Sequence, residues 1–372
     1  MSIFTLRKYA KKFFIFRAFN RLIVRLKYEL ICLKYRRKSN FLDLQFPKSG
    51  NVLYVGTDEM QDKSGFIQEL SKVYNVYLFT KDDGSYGQYH EYIHGNLLGP
   101  NSNTNRLERI LEELSHQNIK IDFVLMQSWG RLWDVERLIN LKLNYAFKMY
   151  NICMDDRHSF RLFSPSRKYN RGSSGLIPAL DGALVAAKEC VNWYNHHGVA
   201  ASYFPEASST EIFYPLNLDR KYDVGFVGSR YGKRGDYIQY LMDSGISVQC
   251  YGEGWPAGRL QIEKVNEFYN SCKIVVGFSY ILDSNNFAAL KLRDFDVPMS
   301  GTLYLTSYNA DLLDLFPEKT KAHYFNSKYE LLRLVKYFLM NESDRVNLAR
   351  QCFINSIENH TYEKRLLEII NE

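Results

Sequence analysis

The chain has 372 residues, 46% of them hydrophobic and 24% charged, the balance of a folded protein with two ordinary domains or one large one. Its net charge of +7 is uneven: residues 1–40 hold twelve Lys and Arg against one Glu, and the remainder carries an excess of acids. A basic arm on a mildly acidic body is no argument for nucleic-acid binding, and no apolar run reaches the roughly 18 residues of a membrane span.

The first predicted element is that arm, "LRKYAKKFFIFRAFNRLIVRLKYELICLKYRR". As a helix it places Phe13, Phe14, Phe16, Leu22, Ile23, Leu26 and Leu30 on one broad sector. Lys11, Lys12, Arg17, Arg21, Arg25 and Arg36 flank it. Apolar residues for the acyl boundary and cations for anionic headgroups make an interfacial helix. The competing reading is a helix packed on the protein's own body. Charges interrupt any apolar core, so the arm does not read as a secretory signal.

From Asn51 short apolar runs alternate with amphipathic segments. Strands are predicted at "NVLYVG", "NVYLFT", "IDFVLMQ", "YAFKMYNICM", "DGALVAA" and "GVAASYFP", with helices at "GFIQELSKVY", "RLERILEELSHQ" and "WDVERLINLKL". A Gly/Ser-rich passage at 164–175 reads as a loop. A second alternation starts at "YDVGFVGS" and runs through "ISVQCYG", "KIVVGFSY", "GTLYLT" and "AHYFNS" to a helical end. Near-continuous apolar strands separated by helices mean parallel sheets covered on both faces. The expectation is two Rossmann-like domains, joined near Phe204–Pro215, with their strand C-termini facing a shared cleft.

Chemistry is expected in loops that follow strands, since no Walker loop and no intact GxGxxG is present. "NICMDDRHSF" puts Asp155, Asp156 and His158 at a strand end, an acid/base or sugar-binding cluster or a simple helix cap. "VGSRYGKRG" offers Gly228 and Ser229 for close backbone approach, and Lys233 and Arg234 at a helix start. That chemistry suits a diphosphate, though an ordinary turn would look the same. "YGEGWPAG" adds Gly252 and Trp255, whose ring stacks on a base or packs. In "LKLRDFDVPMSGTLYLT", Asp296 suits a ribose diol and Arg293 a phosphate. The alternative is a surface ion pair between them. Pro298 restricts Val297 to extended geometry, so the helical turn should stop near Asp296. Six scattered Cys with no CxxC pair read as reduced thiols, and no metal site is expected.

Together "YFPEASSTEIFYP", "YDVGFVGSRYGKRGDYIQYL", "YGEGW", "KLRDFDVPMSGTLYLT" and "HTYEKRL" resemble the CgeB-like (spore maturation protein) glycosyltransferases, a group of GT-B architecture. The resemblance runs from about Tyr203 to the C-terminus; in the first half it is confined to "MDDRHSF". It implies sugar transfer from a UDP, GDP or dTDP sugar, with no further cofactor and no metal, to a saccharide or lipid-linked acceptor. The reaction would serve bacterial surface-glycan synthesis. The implied domains are an arm at 1–45, an acceptor domain at 46–205, a nucleotide-sugar domain at 206–350, and a final helix at 351–372. That helix, with His360, Tyr362 and Arg365, would brace the first domain. Gly228, Ser229, Lys233, Arg234, Gly252, Trp255, Asn286, Arg293 and Asp296 would hold the donor. Asp156, His158 and Asp155 would be the catalytic set on the acceptor side, with Asp156 or His158 the base if the enzyme inverts, and acceptor and sugar binding their role if it retains. The family's Glu is Asp at 296. The second acid of related retaining enzymes is Ala288 here, with Asp283 and Asn286 the nearest polar replacements. The implied location is the cytoplasmic face of the membrane, held by residues 1–40. Alternatives are a GT-B nucleotide-sugar epimerase and a non-catalytic scaffold.

Overall fold

The computed structural model describes residues 14–90, 92–93, 96–97, 101–162, 170–281, 284, 287–316 and 324–371. The chain divides into two compact units, one of residues 34–209 with 362–372, the other of residues 1–33 with 210–361.

The first unit holds a six-stranded, all-parallel sheet. Its strands are β1 (Asn51–Val55), β2 (Asn75–Leu78), β5 (Phe123–Met126), β6 (Lys148–Cys153), β7 (Gly182–Val185) and β8 (Ala200–Tyr203), in spatial order 2-1-5-6-7-8. The two-residue strands β3 (Tyr92–Ile93) and β4 (Asn96–Leu97) form a separate hairpin. β1, β5 and β7 are buried along almost their whole length, the pattern of strands covered on both faces. The second unit has a five-stranded parallel sheet of β9 (Tyr222–Val227), β10 (Val248–Tyr251), β11 (Cys272–Gly277), β12 (Leu303–Ser307) and β13 (Tyr324–Phe325), ordered 10-9-11-12-13. In each sheet the strand order reverses beside the first strand, so that the loops after β1 and β9 lie where ligands bind such sheets.

Helix α1 (Phe14–Lys34) packs on the second unit, with Val24 and Tyr28 against Ile281, Phe287 and Ala289. The Tyr28 and Phe287 rings are 4.9 Å apart. The packed residues lie outside the predicted apolar sector. Leu22, Leu26 and Leu30 are exposed with Phe19 and Leu33, while Ile31 is buried.

The C-terminal helix pair breaks at His360–Thr361. Helix Glu342–Asn359 stays with the second sheet, and so does His360, whose ring lies 4.8 Å from Phe316. His360 therefore does not brace the first unit as expected. Tyr362–Asn371 joins that unit: Tyr362 N–H donates to Ser208 O, and its ring meets Phe66 at 5.4 Å. Arg365, on the same helix, is buried.

A further correction concerns Pro298. The helix Arg293–Met299 runs through it rather than stopping at Asp296. The segment is so short that Pro near its end forfeits a single backbone bond, which burial of Phe295, Val297 and Met299 outweighs. Gly301, at φ +71°, makes the expected tight turn into β12, with Pro215 packed against it.

Candidate functional site

In the second unit the ends of β9 and β10 converge. Gly228 (φ +148°) donates its N–H to Tyr251 O, and Gly252 (φ +132°) packs so closely on the Gly228 carbonyl that a Cβ would overlap it. Both positions demand glycine by conformation and by space. The 252–258 loop closes through Gly252 N–H to Gly258 O. Trp255 is buried in it. Its indole N–H donates to Gly228 O at 2.8 Å, its ring meets Phe226 edge-on, and Arg230 lies 5.0 Å over it. Of the two readings of Trp255, packing is the one observed: the ring fixes the loop.

Two guanidiniums enter this turn. Arg234 starts helix Arg234–Asp243 and is buried; it donates to Ser229 O at 2.9 Å and to Tyr231 OH at 3.0 Å. Burial, then the field of Arg293, lowers its pKa to about 10. Arg293 opens helix Arg293–Met299 and occupies the space that Gly228 leaves: a Cβ on Gly228 would stand 2.7 Å from its Nη1. Nε and Nη2 of Arg293 are buried without a hydrogen-bond partner. Burial pulls its pKa down, but the fields of Tyr304, Tyr269 and Asp294 outweigh that and leave it raised.

Nε and Nη2 of Arg293 are buried without a hydrogen-bond partner, so the reading of a surface ion pair with Asp296 fails on burial. Asp296 is itself buried on the same short helix, close enough for its charge to act on Tyr269. Asp294 accepts from Tyr304 OH at 2.7 Å and from the Lys291 N–H at 2.8 Å; burial raises its pKa to about 6. Lys233 precedes Arg234, with its Nζ 5.8 Å from the Tyr280 ring centroid. Asn286, like Asp283, lies outside the described residues. The structure thus brings Gly228, Ser229, Arg234, Gly252, Trp255 and Arg293 together at one turn. The buried, unmet donors of Arg293 beside the Arg234 guanidinium make an unfavourable arrangement until an anion completes it.

In the first unit, β6 ends in a one-turn helix, Asp156–Ser159. Asp155 and His158 are half-exposed, with His158 Nε2 3.7 Å from Asp155 Oδ1. Asp156 points inward. It accepts from Ser173 Oγ and from Tyr194 OH, its Oδ2 has no partner, and burial raises its pKa to about 7. Arg157 clamps Glu189 with two bonds of 2.7 and 3.1 Å, which anchors the turn.

Sequence reasoning missed a polar network at the ends of β1 and β5. Thr57 Oγ1 donates to Gln127 Oε1 at 3.0 Å, Gln88 Nε2 to Gln127 O at 2.7 Å, and Ser128 Oγ to Gln88 Oε1 at 2.6 Å. Trp133 and Asn151 complete it around Ser128. The available signal was Gln127 and Ser128 directly after the buried run "FVLM". Gln88 comes from a distant loop and gave none.

Two all-parallel α/β units of this kind define the GT-B class of fold. Anabaena HepE in complex with UDP-glucose is similar (TM-score 0.60, 7% identity, covering 87% of this chain and 98% of that one). So is sucrose-phosphate synthase from Thermosynechococcus elongatus (0.58, 10%, 87% and 97%). A UDP-N-acetylglucosamine 2-epimerase-type protein from Listeria monocytogenes matches at 0.52 (10%, 87% and 95%). More particularly, residues 234–371 match the family model described as glycosyl transferase-like. That range starts at Arg234 and includes Arg293 and Asp296. No curated protein matches the chain in sequence.

Proposed function

We propose that this protein is a metal-independent glycosyltransferase of the CgeB-like type that moves a sugar from a nucleotide-sugar donor to a saccharide or lipid-linked saccharide. The observation that carries the reading is the pair Arg234–Arg293 at the Gly228 turn: Arg234 is buried and feels the field of Arg293, and Nε and Nη2 of Arg293 are buried without a hydrogen-bond partner. A nucleoside diphosphate supplies the missing charge. The leaving group of sugar transfer is that same diphosphate, so the guanidiniums stabilise the charge that develops as the glycosidic bond breaks. Asp296 takes the ribose and Lys233 the outer phosphate.

In the first unit the acceptor lies on Asp155, His158 and the Thr57–Ser128 network. Burial leaves Asp156 to position the turn, and His158 is the group placed to accept the proton of the acceptor hydroxyl.

The arm supports a site of action on the cytoplasmic face of an anionic membrane, in bacterial surface-glycan synthesis. Phe19, Leu22, Leu26, Leu30 and Leu33 recur at spacings of three and four, so they form one exposed stripe, flanked by Arg25, Lys27 and Lys34. The opposite face is already used by Val24 and Tyr28.

Calorimetry with UDP, GDP and dTDP tests the donor site. One of them binds the wild type, and Arg293→Ala weakens it by roughly ten- to a hundredfold, the value of charge-assisted hydrogen bonds. Absence of binding by all three overturns the reading. The fold is shared with an epimerase-type protein, so the donor sugar nucleotide is then incubated alone. A new sugar nucleotide would mean epimerisation; transfer requires an added acceptor.

A further inference from the structure

A cavity of about 240 Å³ opens in the second unit at the N-terminal edge of its sheet. Thr302 and Leu303 at the start of β12, and Lys273 at the start of β11, contribute to its wall. The Gly228 turn lies at the opposite edge of the same parallel sheet, roughly 20 Å away for six-residue strands. The cavity is therefore separate from the proposed donor site.

Four cations line it, Arg220, Lys273, Arg345 and Arg350, against a single lining carboxylate, Glu342. Two of the four are neutralised: Lys273 pairs with Asp223 at 2.8 Å and Arg345 with Glu342 at 2.7 Å. Arg345 is also more than nine-tenths buried and donates to Phe338 O. Arg220 uses Nη1 on the carbonyls of Tyr269 and Cys272 and on Thr302 Oγ1. Those acceptors are neutral, and among the described residues its other donors have no hydrogen-bond partner. Arg350 is exposed and makes no ion pair among the described residues. Burial and the neighbouring charge of Arg345 both lower the Arg220 pKa, so these two guanidiniums are within reach of each other's field.

We infer that this cavity is a second anion site, which takes a phosphoryl group between Arg220 and Arg350 with an apolar flank of the same ligand against Phe353. Two uncompensated guanidiniums around a concave, partly apolar wall fit a phosphate ester better than a carboxylate, because each fork can bind two oxygens. The phosphoryl group belongs to a soluble phosphate ester or to a lipid headgroup.

Arg350 is the residue to change, because it is exposed. Binding of inorganic pyrophosphate is measured by calorimetry on the full chain, with the nucleotide found for the donor site present at saturation. In parallel, sedimentation with phosphatidylglycerol vesicles is measured for the wild type and for Arg350→Ala. Roughly tenfold weaker pyrophosphate binding in Arg350→Ala, with nucleotide binding unchanged, supports the site with a soluble ligand. A comparable loss confined to vesicle binding supports it with a headgroup. If Arg350→Ala and Arg350→Glu both match the wild type in both measurements, the site does not exist. Loss of nucleotide binding in these variants would also overturn it, by showing that the two sites are one.

Discussion

At the scale of single residues, the second unit concentrates its constraints in two glycines and two arginines. Gly252→Ala places a side chain on the Gly228 carbonyl at a φ that L residues rarely adopt. The expected cost is about 1–3 kcal/mol from backbone strain alone. Chemical denaturation should show it, together with loss of nucleotide binding. Asp156 makes a different prediction. Its folded pKa of about 7 stands above the ordinary 3.8, so between those values the folded state holds a proton that the unfolded state releases. Its contribution to stability is therefore full at low pH and is lost as pH rises toward about 7. Asp156→Asn, which cannot ionise, should gain stability relative to the wild type on going from about pH 4 to about pH 7. An unchanged difference in melting temperature across that range would mean that Asp156 ionises normally.

At the scale of elements, α1 carries two apolar faces, and each predicts its own phenotype. Leu26→Glu with Leu30→Glu alters only the exposed stripe. It should abolish binding to anionic vesicles while leaving the melting temperature within about 2 °C, since surface substitutions cost little. Tyr28→Ala removes a ring that packs on Phe287 and should cost stability, by about 1–3 kcal/mol for a half-buried aromatic. Vesicle binding by the double Glu variant equal to that of the wild type would refute the interfacial role. This pair of variants is a cleaner test than removal of the whole arm, which would also uncover Ile281, Phe287 and Ala289.

At the scale of the whole molecule, the chain's last helix completes its first sheet domain. Tyr362, Leu366, Ile369 and Ile370 are buried, and the helix packs on Phe66–Val73. Deletion of residues 362–372 should lower the unfolding temperature of the first unit by several degrees and leave that of the second unchanged, a split that calorimetry resolves.

Much of this was legible in the amino-acid sequence. Buried parallel strands are short apolar runs whatever surrounds them, so β1, β5, β6, β9, β11 and β12 stood out along with the helices between them. The arm's amphipathic chemistry was legible too, because periodicity needs only the chain's own geometry. Tertiary structure decided the rest. Periodicity cannot say which of two apolar helix faces a neighbouring domain will cover, and so Val24 and Tyr28 separated from Leu26 and Leu30 only in the folded chain. Local rules ended a helix at Pro298 that core packing carries through it. Charge spacing allowed an Arg293–Asp296 pair, whereas burial against Gly228 and Phe226 turned Arg293 into an unmet donor. Asp155, Asp156 and His158 read alike as neighbours in sequence; one helical turn exposes two of them and buries the third. Desolvation and the approach of distant residues set these outcomes, and neither is a property of a local stretch of chain.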